Sequence, residues 1–193
     1  AAHASAVDDL FFFILACTGG AFLLVMFLVI LFSFVYQKRT DADVTPRILG
    51  SHELELMWTL IPLVLFLVMF VWGVKVYNVP LNPPPDAMEV FVSGKQWMWK
   101  VQHPTGQREI NALHRPVNTP VKLKLISEDV SHDFGIPAFR NKVDVMPGRY
   151  VNTWYLPTKV GEYNIFCDQY CGQGHAAMVG TCYVMSQEDY ERW

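Results

Sequence analysis

Charge is scarce in this chain. Asp, Glu, Lys and Arg make up 17% of its 193 residues, against roughly 25% in an ordinary soluble domain. They are missing altogether from residues 10–37 and 56–74. A basic surplus is missing too. The net charge of −3 excludes a nucleic-acid binder, which needs a basic face for phosphates. No C-x-x-C-H motif occurs, so no c-type haem is attached to this chain. No internal repeat is visible. With 52% hydrophobic residues, the low charge also excludes a disordered chain.

The two charge-free stretches are 28 and 19 residues long. A membrane-crossing helix needs about 20 mostly apolar residues. The first stretch is too long for the apolar region of a signal peptide, and no basic segment precedes it. Neither has a polar face at helical spacing, as a core helix of a soluble protein would. Pro62 lies inside the second, which membrane helices tolerate. The expected spans are about 10–36 and 55–77. Lys38, Arg39 and Arg47 lie between them, whereas residues 1–9 carry Asp8 and Asp9 and no Lys or Arg. The positive-inside rule puts the connecting loop in the cytoplasm or its equivalent, and both termini outside. Residues 1–78 are thus expected to form a helical hairpin that anchors an extracytoplasmic domain. The chain opens Ala1-Ala2-His3 without an initiator Met, as a processed chain would.

Residues 79–86, VPLNPPPD, read as a stiff, extended linker. Beyond them the period changes to two. In Pro120–Ile126, Val121, Leu123 and Leu125 share one face and Lys122 and Lys124 the other, the pattern of a half-buried strand. Further strands are expected at 87–92, 97–102, 149–156, 162–167 and 178–185. Short strands at this spacing predict an all-β sandwich or barrel over 87–193. Ser186 and Asp189 form the start of a short final helical turn. His3, His103 and His114 read as ordinary surface or loop histidines.

Chemistry concentrates in residues 166–178, FCDQYCGQGHAAM. Cys167, Cys171, His175 and Met178 fall together there, and Ser131-His132-Asp133 follows a predicted strand upstream. Cys17 and Cys182 lie elsewhere and suit small buried apolar sites. Three arrangements are open for the cluster. A Cys167–Cys171 disulfide fits an oxidising compartment but leaves His175 and Met178 unused. A structural zinc of Cys2His2 type has no use for Met178. Copper accepts thiolate, imidazole and thioether together. There is one thiolate more than a mononuclear blue site needs, and two bridging thiolates with one His each can hold two coppers. Gly172 and Gly174 give the loop freedom to fold back on a metal.

At these residues the sequence resembles subunit II of the haem–copper cytochrome c oxidases. The resemblance covers the hairpin, the linker and the β domain. It implies a membrane-anchored α + β chain whose β domain is a cupredoxin-type Greek-key barrel holding a dinuclear CuA centre. Cys167 and Cys171 match the bridging thiolates, His132 and His175 the terminal imidazoles, and Met178 the weak axial ligand. Position 169 supplies a backbone carbonyl. It is Gln169 here, where the family usually has Glu, and a neutral Gln is a poorer ligand for the magnesium bound nearby in the family. The segment Gly94–Trp99 (GKQWMW) resembles the family's electron-receiving segment, with Trp97 between donor and copper. The start of the second span resembles the family's, with Glu55 at the mouth of a proton pathway.

The resemblance implies an electron-transfer role in a respiratory terminal oxidase of a bacterial inner membrane or an equivalent energy-transducing membrane. The implied partners are a c-type cytochrome, subunit I with its haem and copper, and other oxidase subunits. A quinol oxidase subunit II shares the fold but lacks the copper ligands. A membrane-anchored copper-delivery protein needs exchangeable ligands and has no need of the Trp97–Trp99 segment.

Overall fold

The computed structural model describes residues 1–44, 47 and 49–193. Two long helices come first, α1 (Ala4–Val35) and α2 (His52–Asn78). Both begin a few residues before the expected spans; α1 ends one residue short of the expected end and α2 one beyond it. Ser51 and its hydroxyl start α2 by accepting from the Leu54 N–H, and Glu53 and Glu55 sit in the first turn, where the helix dipole favours negative charge. Pro62 is accommodated inside α2. Neither helix buries a single residue within the chain. Both are long and apolar enough to cross a membrane, and their apolar surface requires lipid or other protein around it. Phe13 of α1 and Trp72 of α2 make a ring contact at 5.4 Å.

The chain divides into two compact units, residues 8–74 and residues 1–7 with 75–193. The short N-terminal segment therefore belongs with the β domain: the Ala2 N–H donates to the Leu156 carbonyl. Residues 79–86, expected to be extended, begin with a 3-10 turn, Val79–Leu81. Pro80 fits its first turn because that position needs no N–H.

The β domain is two five-stranded sheets. The first contains β1 (Met88–Lys95), β2 (Met98–Gln102), β3 (Arg108–Ile110), β5 (Val121–Ser127) and β8 (Val151–Tyr155), in the order β3-β2-β1-β5-β8. The second contains β4 (Ala112–Pro116), β6 (His132–Ile136), β7 (Asn141–Val145), β9 (Gly161–Cys167) and β10 (Val179–Met185), in the order β4-β10-β9-β6-β7. The pairs β1–β5 and β4–β10 are parallel, and the remaining ladders are antiparallel. Strict alternation in β5 buries Val121, Leu123 and Leu125. They pack with Leu113, Ile165 and Phe134 of the second sheet and with Tyr155 of β8. A final helix, α3 (Gln187–Arg192), is capped by Ser186, whose hydroxyl accepts from the Asp189 N–H.

Three strands were not expected from the sequence: β3, β4 and the pair-forming β7. A fourth is β6, which takes in His132 and Asp133, placed from the sequence only as following a predicted strand. All five of its residues, HDFGI, are buried, so the alternation that reveals a half-buried strand is absent. The histidines also differ from expectation. His103 is fully buried, His114 lies on β4, and both bond to Glu109. His3 is half-buried beside Trp154.

Candidate metal centre

The cluster forms where β6 and β9 end beside the loop that leads to β10. His132 opens β6 and Cys167 closes β9; Phe134 pairs with Cys167 across the ladder. The loop then folds back. Gly172 has φ +119°, in the left-handed region that glycine occupies freely. His175–Ala177 form one 3-10 turn, with Met178 at its end. In such a turn residues i and i+3 eclipse, so the x2 spacing sends His175 and Met178 to the same side.

The result is a tight group of donors. Cys167 Sγ and Cys171 Sγ are 3.7 Å apart. His132 Nδ1 lies 3.8 Å from Cys167 Sγ, and His175 Nδ1 lies 3.6 Å from Cys171 Sγ. Met178 Sδ is 3.8 Å from Cys171 Sγ, and the Gln169 carbonyl is 3.2 Å from Cys167 Sγ. His132, Cys167, Cys171 and Met178 are buried, and His175 is partly exposed. All four cysteines are free thiols, and 3.7 Å is far beyond a disulfide bond length. Burial, followed by the adjacent Cys167, pushes the Cys171 thiol up to about 11, so a metal must displace protons to bind here. Soft sulfur donors in a buried pocket, each with an imidazole beside it, fit copper.

Surrounding groups fix this arrangement. The His132 Nε2–H donates to Asp129 Oδ1 at 2.9 Å, which leaves Nδ1 facing the sulfurs. Burial opposes ionisation of Asp129, yet the Gln96 N–H, the His132 ring and the Val130 N–H hold its carboxyl below the ordinary value. Trp99 packs edge-on against His132. A Cβ at Gly94 would meet His132 Cδ2 at 2.9 Å, so β1 must present a glycine to the ring. Asp129 and Gly94 were missed from the sequence; the only signal for Asp129 is a carboxylate three residues before a candidate ligand.

Trp97 is not a core partner of Trp99. It sits in the β1–β2 turn, half exposed, while Trp99 is fully buried. Its indole N–H donates to the Cys171 carbonyl at 3.3 Å, and Gln96 Nε2 donates to the same oxygen at 2.8 Å. A Cβ at Gly174 would meet Trp97 Cε3 at 2.7 Å. The indole therefore lies flat over the ligand loop with one edge toward solvent. Gln169 is exposed. Glu55 belongs to the helical unit, with His52 Nδ1 at 3.7 Å.

Two apolar helices and a cupredoxin-like β domain with a largely buried Cys2His2Met cluster define a membrane-anchored protein of the copper-centre class. The particular family follows from comparison. The family model described as "Cytochrome C oxidase subunit II, transmembrane domain" matches residues 1–76. That described as "Cytochrome C oxidase subunit II, periplasmic domain" matches residues 107–184. The chain belongs to the subunit II family of the haem–copper oxidases. Cytochrome c oxidase subunit 2 of a Synechocystis species is 28% identical over 100% of this chain and 72% of its own length. Alternative cytochrome c oxidase subunit 2 of Bradyrhizobium diazoefficiens is 30% identical over 63% of this chain and 55% of its own. The crystal structure of the periplasmic domain of subunit II of cytochrome oxidase from Bradyrhizobium japonicum superposes with a TM-score of 0.56 at 27% identity, covering 58% of this chain and 94% of that one. The chain spans between half and three quarters of the length of such curated relatives.

Proposed function

We propose that this chain is the electron-accepting subunit of a respiratory terminal oxidase. It takes electrons from a c-type cytochrome and delivers them to haem in subunit I, where oxygen is reduced to water and protons are pumped. The observation that carries the reading is the pair of thiols 3.7 Å apart, each with an imidazole Nδ1 beside it.

In this reading Cys167, Cys171, His132 and His175 would hold two coppers between them, with Met178 and the Gln169 carbonyl as weaker donors. When bound, the copper pair supplies a one-electron acceptor whose charge is shared over two metals. The chain's own residues hold the ligands still, so that little has to rearrange when charge changes. Asp129 fixes the His132 tautomer, Gly94 admits its ring, and Trp99 backs it. Trp97 lies between solvent and the Cys171 carbonyl, which supports its role as the point where electrons arrive. Gln169 is neutral and exposed, and no magnesium is assigned to it.

Residues 1–78 serve as the membrane anchor, 79–86 as the linker and 87–193 as the domain outside an energy-transducing membrane, with both termini on that side. Glu55, at the opposite end of α2 from the domain, takes the role of a proton-pathway entrance into subunit I. The test is copper loading of the full chain in detergent. Two coppers per chain are expected, falling below one in Cys171→Ser; equal loading of the variant would reject the assignment of Cys171.

A further inference from the structure

The outer face of the first sheet is a concave surface that electron transfer through Trp97 leaves unexplained. Register aligns Ile110, Lys100, Ser93 and Ile126 in one row across four strands. The next row is Arg108, Gln102, Phe91 and Lys124. Together they line a groove of about 590 Å³ walled by Tyr150. Its floor is apolar and open: Ile110 is 64% exposed and Phe91 40%. Lys124 Nζ stands over the Phe91 and Tyr150 rings at 5.3 and 4.8 Å.

The charge on this face is lopsided. Glu128 alone answers two lysines, Lys100 at 2.8 Å and Lys95 at 3.8 Å. Among the described residues no carboxylate lies within ion-pair distance of Lys124 or Arg108, and Glu89, already bound to Lys122, acts on Lys124 only at longer range. Glu109 borders the groove, but its carboxylate is held by His103 and His114. Lys122 and Glu89 cancel one another at 2.6 Å. Four cations thus stand against one available carboxylate, on a chain whose net charge is −3. The groove runs toward the β1–β2 turn: Lys95 pairs with Met98 in register, and Trp97 lies between them in sequence.

We infer that this face docks the electron donor, and that the donor is a small redox protein with an acidic rim around an apolar patch. The inference rests on Trp97 receiving the electrons. An apolar floor ringed by cations that outnumber their carboxylates suits such a partner, because complementary charge steers the encounter and the apolar centre holds it. A donor with a basic rim would meet like charge at Lys95, Lys100, Arg108 and Lys124.

The test uses the copper-loaded full chain in detergent, with stopped-flow reduction by an acidic and by a basic c-type cytochrome. The acidic one should react about tenfold faster at low salt and slow as salt rises. The double reversal Lys124→Glu with Arg108→Glu should slow it about tenfold and flatten its salt dependence. Reduction by a small uncharged hydroquinone should be unchanged in that variant. A faster basic cytochrome, or an acidic one indifferent to the double reversal, would overturn the docking inference and leave the electron-accepting role standing. If neither cytochrome nor hydroquinone reduces the copper, the electron-accepting role fails and the docking inference with it.

Discussion

Leu67 in α2 and Leu123 in β5 are the same side chain put to opposite uses. Leu67 is 54% exposed and Leu123 is fully buried. The helices hold their apolar surface outward and find no core within the chain. The β domain turns its apolar residues onto one another and onto the Cys–His–Met cluster. The helices therefore depend on their surroundings for stability, whereas the β domain carries its own. It follows that a precise metal geometry belongs in the second unit. A ligand set needs side chains fixed by close packing, and only the sheets supply that.

The largest test of this contrast is a paired truncation. Leu123→Ala should cost about 2–5 kcal/mol of β-domain stability, since it opens a cavity in a filled core. Leu67→Ala should change it by less than about 0.5 kcal/mol. Denaturant unfolding followed by near-ultraviolet circular dichroism in detergent measures both, and equal costs would break the contrast.

Next comes the buried polar cluster at the far edge of the sheets. Glu109 accepts from His103 and His114 at 2.5 Å each, and His114 is stacked between Tyr183 and Trp193. Burial opposes ionisation of Glu109, but the two histidines and the His114 N–H hold its carboxyl below the ordinary value. A depressed carboxylate stabilises the fold above its unfolded value near pH 4.3, and that contribution is lost as pH falls through its folded value. Glu109→Gln should cost about 2–3 kcal/mol at neutral pH and remove part of the acid sensitivity of unfolding. An unchanged acid transition in the variant would contradict this.

The sequence made the donor cluster visible because Cys167, Cys171, His175 and Met178 are close in the chain, and the separation of the last two matches a 3-10 turn. The β5 strand was equally visible, because Lys122 and Lys124 alternate with buried neighbours. β6 was hidden because HDFGI shows no alternation and carries a single β-branched residue, Ile136. His103 and His114 were misread for a different reason: their partner, Glu109, sits on a separate short strand that periodicity does not reveal. Parallel pairing of β1 with β5 and of β4 with β10 leaves no trace in local pattern at all.

A smaller effect is expected at Trp97. Trp97→Phe removes the N–H donated to the Cys171 carbonyl and shortens the indole path. Reduction by the donor should slow about tenfold, near 1.4 kcal/mol of barrier, with the copper spectrum intact. An unchanged rate would place the electron route elsewhere. Smallest of all, Glu55→Gln in the assembled oxidase should slow proton uptake a few-fold without touching the β domain. Normal turnover would remove Glu55 from the pathway.

The central claim is that two buried thiols and two imidazoles hold a pair of coppers as one electronic unit. Electron paramagnetic resonance of the copper-loaded chain, with the metal counted in the same sample, tests it most directly. Two coppers per chain sharing a single unpaired electron are predicted. One copper with an ordinary blue-site spectrum, or zinc alone, would contradict it.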